Sequence, residues 1–337
     1  MDSPARPVAL SRGMASRARV RRIWWVVAAA VLLAVLTLWI GSRYHVSFAF
    51  FFLMHLVLTA TYDIVGGYMG YVNLGHGAFF GLGAYAYGLT VIGGGPPVLG
   101  LAVAALAVAV FAALIAVPLF RLRGVSFAIA TFGILKLLEV LAANVEKVSG
   151  GTAGLSISPT ASTIPSYYAM LAAAAAAVAM HAWIAHSRLG LGLVSVREDE
   201  EVAETAGIDT RLIKRGVFVL SAILPGVVGG VYMWQLTHVD PSSAFGLDVS
   251  FPPVIMAMLG GTGTVPGPIL GTLFLTVIEE ALWSRLGYLQ LAMYGVVLVF
   301  VGLVMPGGLA RSAWLRRAYG ALDASGHAGF RIGRERP

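Results

Sequence analysis

Ten stretches of apolar residues, each bounded by charged, glycine or proline positions, set the rhythm of this chain. They fall at about 23–41, 46–65, 76–94, 98–119, 125–143, 166–186, 216–236, 249–260, 268–285 and 288–305. Most run close to the roughly 20 residues that a helix needs to cross the hydrocarbon layer of a bilayer. A backbone crossing that layer has no water to bond to, so runs of this length predict helices that satisfy their own amides and carbonyls. The eighth run is short and ends in a Gly/Pro-rich stretch, which predicts a broken or re-entrant segment. The expected fold is an all-α, polytopic membrane bundle of eight to ten transmembrane helices with glycine-rich interruptions.

Composition agrees with the pattern and excludes its rivals. Of the 337 residues 58% are hydrophobic and 12% charged, against roughly 25% charged in soluble domains. The mean hydropathy is +0.83. A soluble enzyme, a disordered chain and a coiled coil are all excluded. The net charge of +7 would point to nucleic acid on a soluble protein. Here the basic residues have a better account as orientation signals, and no nucleic-acid partner is expected. Taking 23–41 as an uncleaved first helix, nineteen of the 23 Lys and Arg residues fall on one side. They lie before Ile23, at Arg121 and Arg123, in the 187–215 loop and after position 310. Only Arg43, Lys147 and Arg285 fall on the other side. Basic residues collect on the cytoplasmic face, so both termini are expected in the cytoplasm. The organisation is a basic cytoplasmic segment at 1–22, a membrane domain at 23–309 containing the cytoplasmic 187–215 loop, and a cytoplasmic tail at 310–337.

Several chemistries are missing. There is no cysteine, hence no disulfide framework, thiolate metal site or thiol nucleophile. The phosphate-cradling pattern G-x-x-x-x-G-K-[ST] cannot form, because none of the three lysines, Lys136, Lys147 and Lys214, follows a glycine. The H-E-x-x-H and G-x-S-x-G signatures do not occur. His55, His76, His181, His186 and His238 are scattered and read as packing or interfacial histidines.

Polar groups at membrane depth are candidates for a translocation path, since each costs about 2.5–3.5 kcal/mol at a helix centre. Asp63 stands near the cytoplasmic end of the second segment, where that cost is reduced. Glu139 follows Lys136 at i, i+3, a spacing that allows mutual neutralisation. Glu279 and Glu280 have Arg285 as a possible partner. Asn73 and His76 sit among glycines, where irregular backbone can line a cavity. The G-x-x-x-G spacings, among them Gly77/Gly81, Gly226/Gly230 and Gly267/Gly271, fit close helix packing within one bundle. In the 187–215 loop, no Gly or Pro interrupts Val194 to Ala206. Val196, Val202, Ala203 and Ala206 share one face and Arg197, Glu198, Asp199, Glu200, Glu201 and Glu204 cover the other. A single short amphipathic helix is expected, stopped by Gly207 at the position after the cap. It serves either as a solvated connector or as a docking helix.

At this loop the sequence resembles the LivM-type permease subunits of branched-chain amino-acid ABC importers. The resemblance is carried by Arg197–Glu198–Asp199–Glu200, Ala203 and Gly207–Ile208, by the early glycine block from Gly66 to Tyr85, and by Gly150–Gly151–Thr152–Ala153–Gly154–Leu155. It continues through Lys214, Phe218, Ser221 and Gly226, then Ser250 and Gly260–Gly261–Thr262–Gly263–Thr264, to Pro306–Gly307–Gly308–Leu309. Roughly residues 46–309 are covered. Departures include Asn73 in place of the usual Ser, Gly77 in place of Ala, and Pro225, which should kink the seventh span.

The resemblance implies a permease that forms a path with a second permease, receives its solute from an external binding protein, and is driven by two cytoplasmic ATPase subunits. ATP is then bound by those partners, and this chain carries no cofactor. Arg197, Glu198, Asp199, Glu200, Ala203 and Gly207 would couple it to the ATPase, and membrane lipid surrounds the rest. The substrates implied are branched-chain or related amino acids, with urea or short amides as the alternative within the family. An ion-coupled secondary transporter is the alternative of a different class, and it would want a connected series of intramembrane acids. A membrane-embedded enzyme would want a metal or nucleophile constellation that is not seen.

Overall fold

The computed structural model describes residues 43–158 and 164–286, together with positions 295, 296, 299, 308 and 309. The expected segment at 23–41, that at 288–305 apart from positions 295, 296 and 299, and the 1–22 and 310–337 ends lie outside the described residues. Helix α1 (Arg43–Asp63) runs directly into a π-helical turn, Ile64–Tyr68. An irregular stretch leads to α2 (His76–Ile92), followed by α3 (Pro97–Leu119) and α4 (Val125–Asn144). Pro97 opens α3, where its fixed φ suits a first helical position and its missing N–H costs nothing. Then come the single turn α5 (Glu146–Ser149), a 3-10 turn (Gly151–Ala153) and the two-residue strand β1 (Leu155–Ser156). The chain continues through α6 (Ile164–His186), α7 (Arg188–Glu198), α8 (Glu200–Thr205), α9 (Thr210–Leu236), β2 (His238–Val239), α10 (Pro241–Ala244), α11 (Leu247–Gly260) and α12 (Gly267–Leu286).

Among the described residues, six stretches are long and apolar enough to cross a membrane: Tyr44–Tyr68, Pro97–Leu119, Val125–Asn144, Ile164–His186, Thr210–Leu236 and Pro241–Gly260. Helices α2 and α12 occupy the expected third and ninth segments. The short eighth segment, 249–260, is not itself broken: it lies within α11, and the interruption falls before it, at Phe245–Gly246 between α10 and α11. Helix α9 runs unbroken from Thr210 to Leu236 through Pro225.

Burial divides the helices into an inner and an outer set. Helix α2 lies inside, packed against α3 and α9, and α1 is largely enclosed. Leu106, Val110 and Leu114 of α3 and Ile129, Leu137 and Val140 of α4 point outward, a surface that lipid accepts and water does not. The inner helices approach closely because their contacts are bare backbone. A Cβ on Gly83 would lie 2.0 Å from the Gly226 carbonyl oxygen, and one on Gly229 would lie 1.9 Å from that of Phe80. The glycine spacings therefore serve packing within this chain.

The two ends of the bundle differ. At one end, β1 pairs antiparallel with β2, Leu155 opposite Val239 and Ser156 opposite His238, which fastens the Gly-rich 144–165 segment to the end of α9. At the other, Phe79, Phe120, Phe127, Phe218 and Tyr71 form an aromatic cluster, and the 187–215 loop rests over it.

Candidate functional site

The loop is not the single helix expected over 194–206. It folds as α7 and α8 with Asp199 between them in extended conformation. The reason is local: the Asp199 carboxylate accepts from the Glu201 and Val202 amides, at 2.9 and 3.1 Å. An N-cap of this kind satisfies donors that a continuous helix would have used itself. Val196 and Ala203 are buried as expected, but Val202 and Ala206 turn outward. Gly207 stops α8 with φ +83°. Its amide donates to Glu204 O and that of Ile208 donates to Ala203 O, the paired bonds of a Schellman end, which glycine alone enters without strain.

Glu200 anchors the loop from beneath. Its carboxylate bonds the Lys214 ammonium and the Tyr71 hydroxyl and lies 3.6 Å from Arg123. Lys214 in turn sits over the Tyr71 and Phe120 rings at 5.5 and 5.6 Å, a favourable place for a cation. Burial alone would push the Glu200 carboxyl up, but Lys214, Tyr71 and Arg123 outweigh it and hold it below its ordinary value. A depressed carboxyl contributes stability above its unfolded value and loses it as pH falls through the folded value. A spin label at a cysteine introduced at Val202 is thus expected to keep one mobility from pH 7 to 5 and to loosen only below about pH 4.5. In Lys214→Met it is expected to be loose already at pH 7. Loosening of the parent near pH 6 would contradict the tether.

Arg197 reaches from the end of α7 to the π turn. Its Nη1 donates to the Gly67 carbonyl at 2.8 Å and its Nη2 to Glu198 at 3.0 Å. Beside Gly67, the Asp63 carboxylate is fully buried. It accepts from the Gly263 amide at 2.9 and 3.1 Å and lies 2.9 Å from His181 Nε2. Deeper in the bundle, Thr61 Oγ1 meets His76 Nε2 at 2.9 Å. Asn73 Oδ1 accepts from Gly75 N, Thr131 Oγ1 from Leu74 N, and Ser250 Oγ from Gly77 N. Asn73 Nδ2 and His76 Nδ1 are buried with no partner among the described residues.

Residues 44–302 match the family described as branched-chain amino acid transport system / permease component. The chain belongs to this permease family. It is 26% identical over 318 residues to the high-affinity branched-chain amino acid transport system permease protein LivM of Escherichia coli K12, covering 84% of this chain and 74% of that one. It is 34% identical over 138 residues to LivH of the same organism, 40% and 43% of the two chains. To the ribose import permease protein RbsC of that organism it is 26% identical over 136 residues, 38% and 42%. No solved structure matches the chain.

Within the permease, the expected site residues separate into five places. Arg197, Glu198, Asp199, Glu200, Ala203 and Gly207 do share one loop. Glu200 and Ala203 turn inward, Glu198 and Asp199 outward, and Arg197 bridges loop and bundle. Asp63 is not at a rim open to water: it is enclosed, and its oxygens are met by His181 Nε2 and the Gly263 amide. Asn73 and His76 lie near one another in the interrupted segment. Glu139 is elsewhere, half-buried on the outer helix α4 and paired with Lys136 at 2.6 Å. Glu279 is half-buried on α12, and Glu280 accepts from the Tyr44 hydroxyl. The side chain of Arg285 lies outside the described residues. His181, read from sequence as packing, is the residue that sequence reasoning missed, and no periodic signal links it to Asp63 at 118 positions' distance.

Proposed function

We propose that this permease forms, with a second permease, the path of an ABC importer for branched-chain or chemically related amino acids. An external binding protein delivers the solute and two cytoplasmic ATPase subunits supply the energy. The 187–215 loop faces the cytoplasm, as do both termini, an orientation supported by the one-sided distribution of Lys and Arg. One observation carries the coupling role. Val202 and Leu212 stand 62% and 70% exposed on the loop, and the same loop exposes Glu198 and Glu201, whose side chains are 71% and 84% exposed. Beneath them Glu200 and Lys214 are only 13% and 3% exposed. Exposed apolar side chains and carboxylates on one loop with a fixed base suit a polar, reversible contact with a partner subunit.

The solute's route passes the interrupted segment. Asn73 spends its oxygen on Gly75, so its amide N–H groups remain to meet a carboxylate. His76, held through Nε2, keeps Nδ1 for the path. Thr61, Thr131 and Ser250 support the same segment. Asp63, Glu139 and Glu279 were path candidates too; of these only Asp63 adjoins this layer.

The test is uptake of radiolabelled leucine into proteoliposomes holding the complex purified from its native membrane. ATP-driven uptake is expected, with co-purification of a Walker-type ATPase. Glu198→Lys and Gly207→Pro are expected to cut uptake at least about tenfold, a coupling loss of about 1.4 kcal/mol; thermal unfolding is expected to be little changed in Glu198→Lys, whereas Gly207→Pro, whose ring cannot adopt φ +83° and has no amide to donate to Glu204, also frays the end of α8. Unchanged uptake by the double variant, or uptake driven by an ion gradient through this chain alone, would sink the reading.

A further inference from the structure

Three glycines leave a niche for one side chain. A Cβ on Gly70 would lie 2.6 Å from Arg197 Cγ, and one on Gly263 would lie 3.2 Å from the Gly67 oxygen and 3.4 Å from Arg197 Nη1. Gly67 has no room for a Cβ either, since Asp63 Oδ1 and the Gly263 amide would stand 2.1 and 2.4 Å away. The Arg197 stem and guanidinium therefore lie against backbone, at the point where α1 ends, the π turn begins and the α11–α12 connection returns.

The chemistry at this point is that of a helix end. The last carbonyls of a helix have no intrahelical donor, and a cation there is favoured by the helix dipole. Arg197 supplies both to Gly67. The same turn starts at Asp63, whose two oxygens are engaged by Gly263 and His181. Asp63 thus joins three separate elements, α1, α6 and the connection after α11, at the loop-facing end of the bundle. Withdrawing Arg197 leaves an orphan carbonyl beside a buried carboxylate, so the turn has to repack, and the Asp63 contacts move with it.

We propose that Arg197 is a positioning residue for transport. By capping Gly67 it holds Asp63 on Gly263 and His181, and so keeps the cytoplasmic end of the path shut until the loop is displaced. This rests on the reading of the 187–215 loop as the cytoplasmic coupling element. A rigid loop tied to a closed junction turns a shift of the loop into an opening, because packed junctions have discrete arrangements rather than continuous ones.

The absence of cysteine makes the test clean. Thr59 is buried one turn before Asp63 on α1, its hydroxyl against Met256 sulfur. A Thr59→Cys reporter is labelled with a membrane-impermeant maleimide from the cytoplasmic side of inside-out vesicles carrying the full chain. With Arg197 intact, labelling is expected to be slow. Arg197→Ala and the milder Arg197→Gln are expected to raise its rate about fivefold or more, the low end of measured coupling between sites. Arg197→Lys, which keeps a donor and a charge, is expected to restore most of the protection. A role confined to stability would lower the melting temperature without the rescue by lysine. Labelling unchanged in both Ala and Gln variants overturns the proposal. The measurement needs no partner subunit. Flat labelling with collapsed ATP-driven uptake would place Arg197's action at the partner surface and leave the importer reading intact. Raised labelling in a chain without ATP-driven uptake would keep the link and remove that reading.

Discussion

Asp63→Leu is expected to destabilise the chain by about 2–6 kcal/mol, since two buried donors are each left unsatisfied at about 1–3 kcal/mol, and to abolish transport. The loss has two parts. His181 Nε2 loses its acceptor, and so does the Gly263 amide. Adding His181→Leu is expected to recover part of the stability, because two apolar groups replace a pair whose burial was itself costly. The recovery stays incomplete, since Gly263 N still lacks a partner, a deficit of about 1–3 kcal/mol. Asp63→Asn keeps an oxygen for Gly263 and is expected to be the mildest of the three. Thermal unfolding in one detergent, followed by tryptophan fluorescence, ranks them. A double variant less stable than Asp63→Leu would contradict the pairing.

Gly229→Val is expected to be among the most damaging changes at the helix-contact glycines. Its Cβ would lie 1.9 Å from Phe80 O and 3.0 Å from Ala84 N, and both are backbone, so no side chain can swing aside. Helices α2 and α9 would have to separate, at a cost at or above the top of the usual 1–3 kcal/mol for overpacking. Gly133 on α4 provides the contrast, for nothing lies within 4 Å of a Cβ there. Gly133→Ala is expected to stabilise by about 0.5–1 kcal/mol, through backbone entropy alone. Opposite shifts in melting temperature, measured side by side, check the pair, and equal shifts would contradict the packing of α2 on α9.

The membrane segments were legible because lipid imposes one rule on every residue it touches. Apolar runs such as 98–119 and 125–143 have no competing interpretation, and the structure meets them with helices. Gly207 was legible too, since a helix stop of that geometry needs glycine whatever surrounds it. The break at Asp199 was not. Asp, Glu and Glu follow one another at 199–201, and their separate fates depend on Lys214 and Tyr71, which reach Glu200 only in the folded chain. Periodicity reports which face of an element is apolar, and it says nothing about which of three neighbouring carboxylates meets a distant cation. Asp63 illustrates the same limit at greater range. Its place near a segment end suggested access to water, while the π turn and the return of the chain at Gly263 enclose it.

The position of α2 has a consequence for how the protein is made. The helix is only 17 residues long, begins among polar and glycine positions, and packs its glycine-bearing surface against α9. Helix α9 starts at Thr210, more than a hundred residues after α2 ends at Ile92. At about 5–20 residues per second of synthesis, several seconds separate the two. During that interval α2 is held by α3 and, more lightly, by α4, while α9, its largest neighbour, is not yet made. The centre of the bundle is therefore completed late, by a helix that arrives after the outer wall of α3 and α4 has already been laid down.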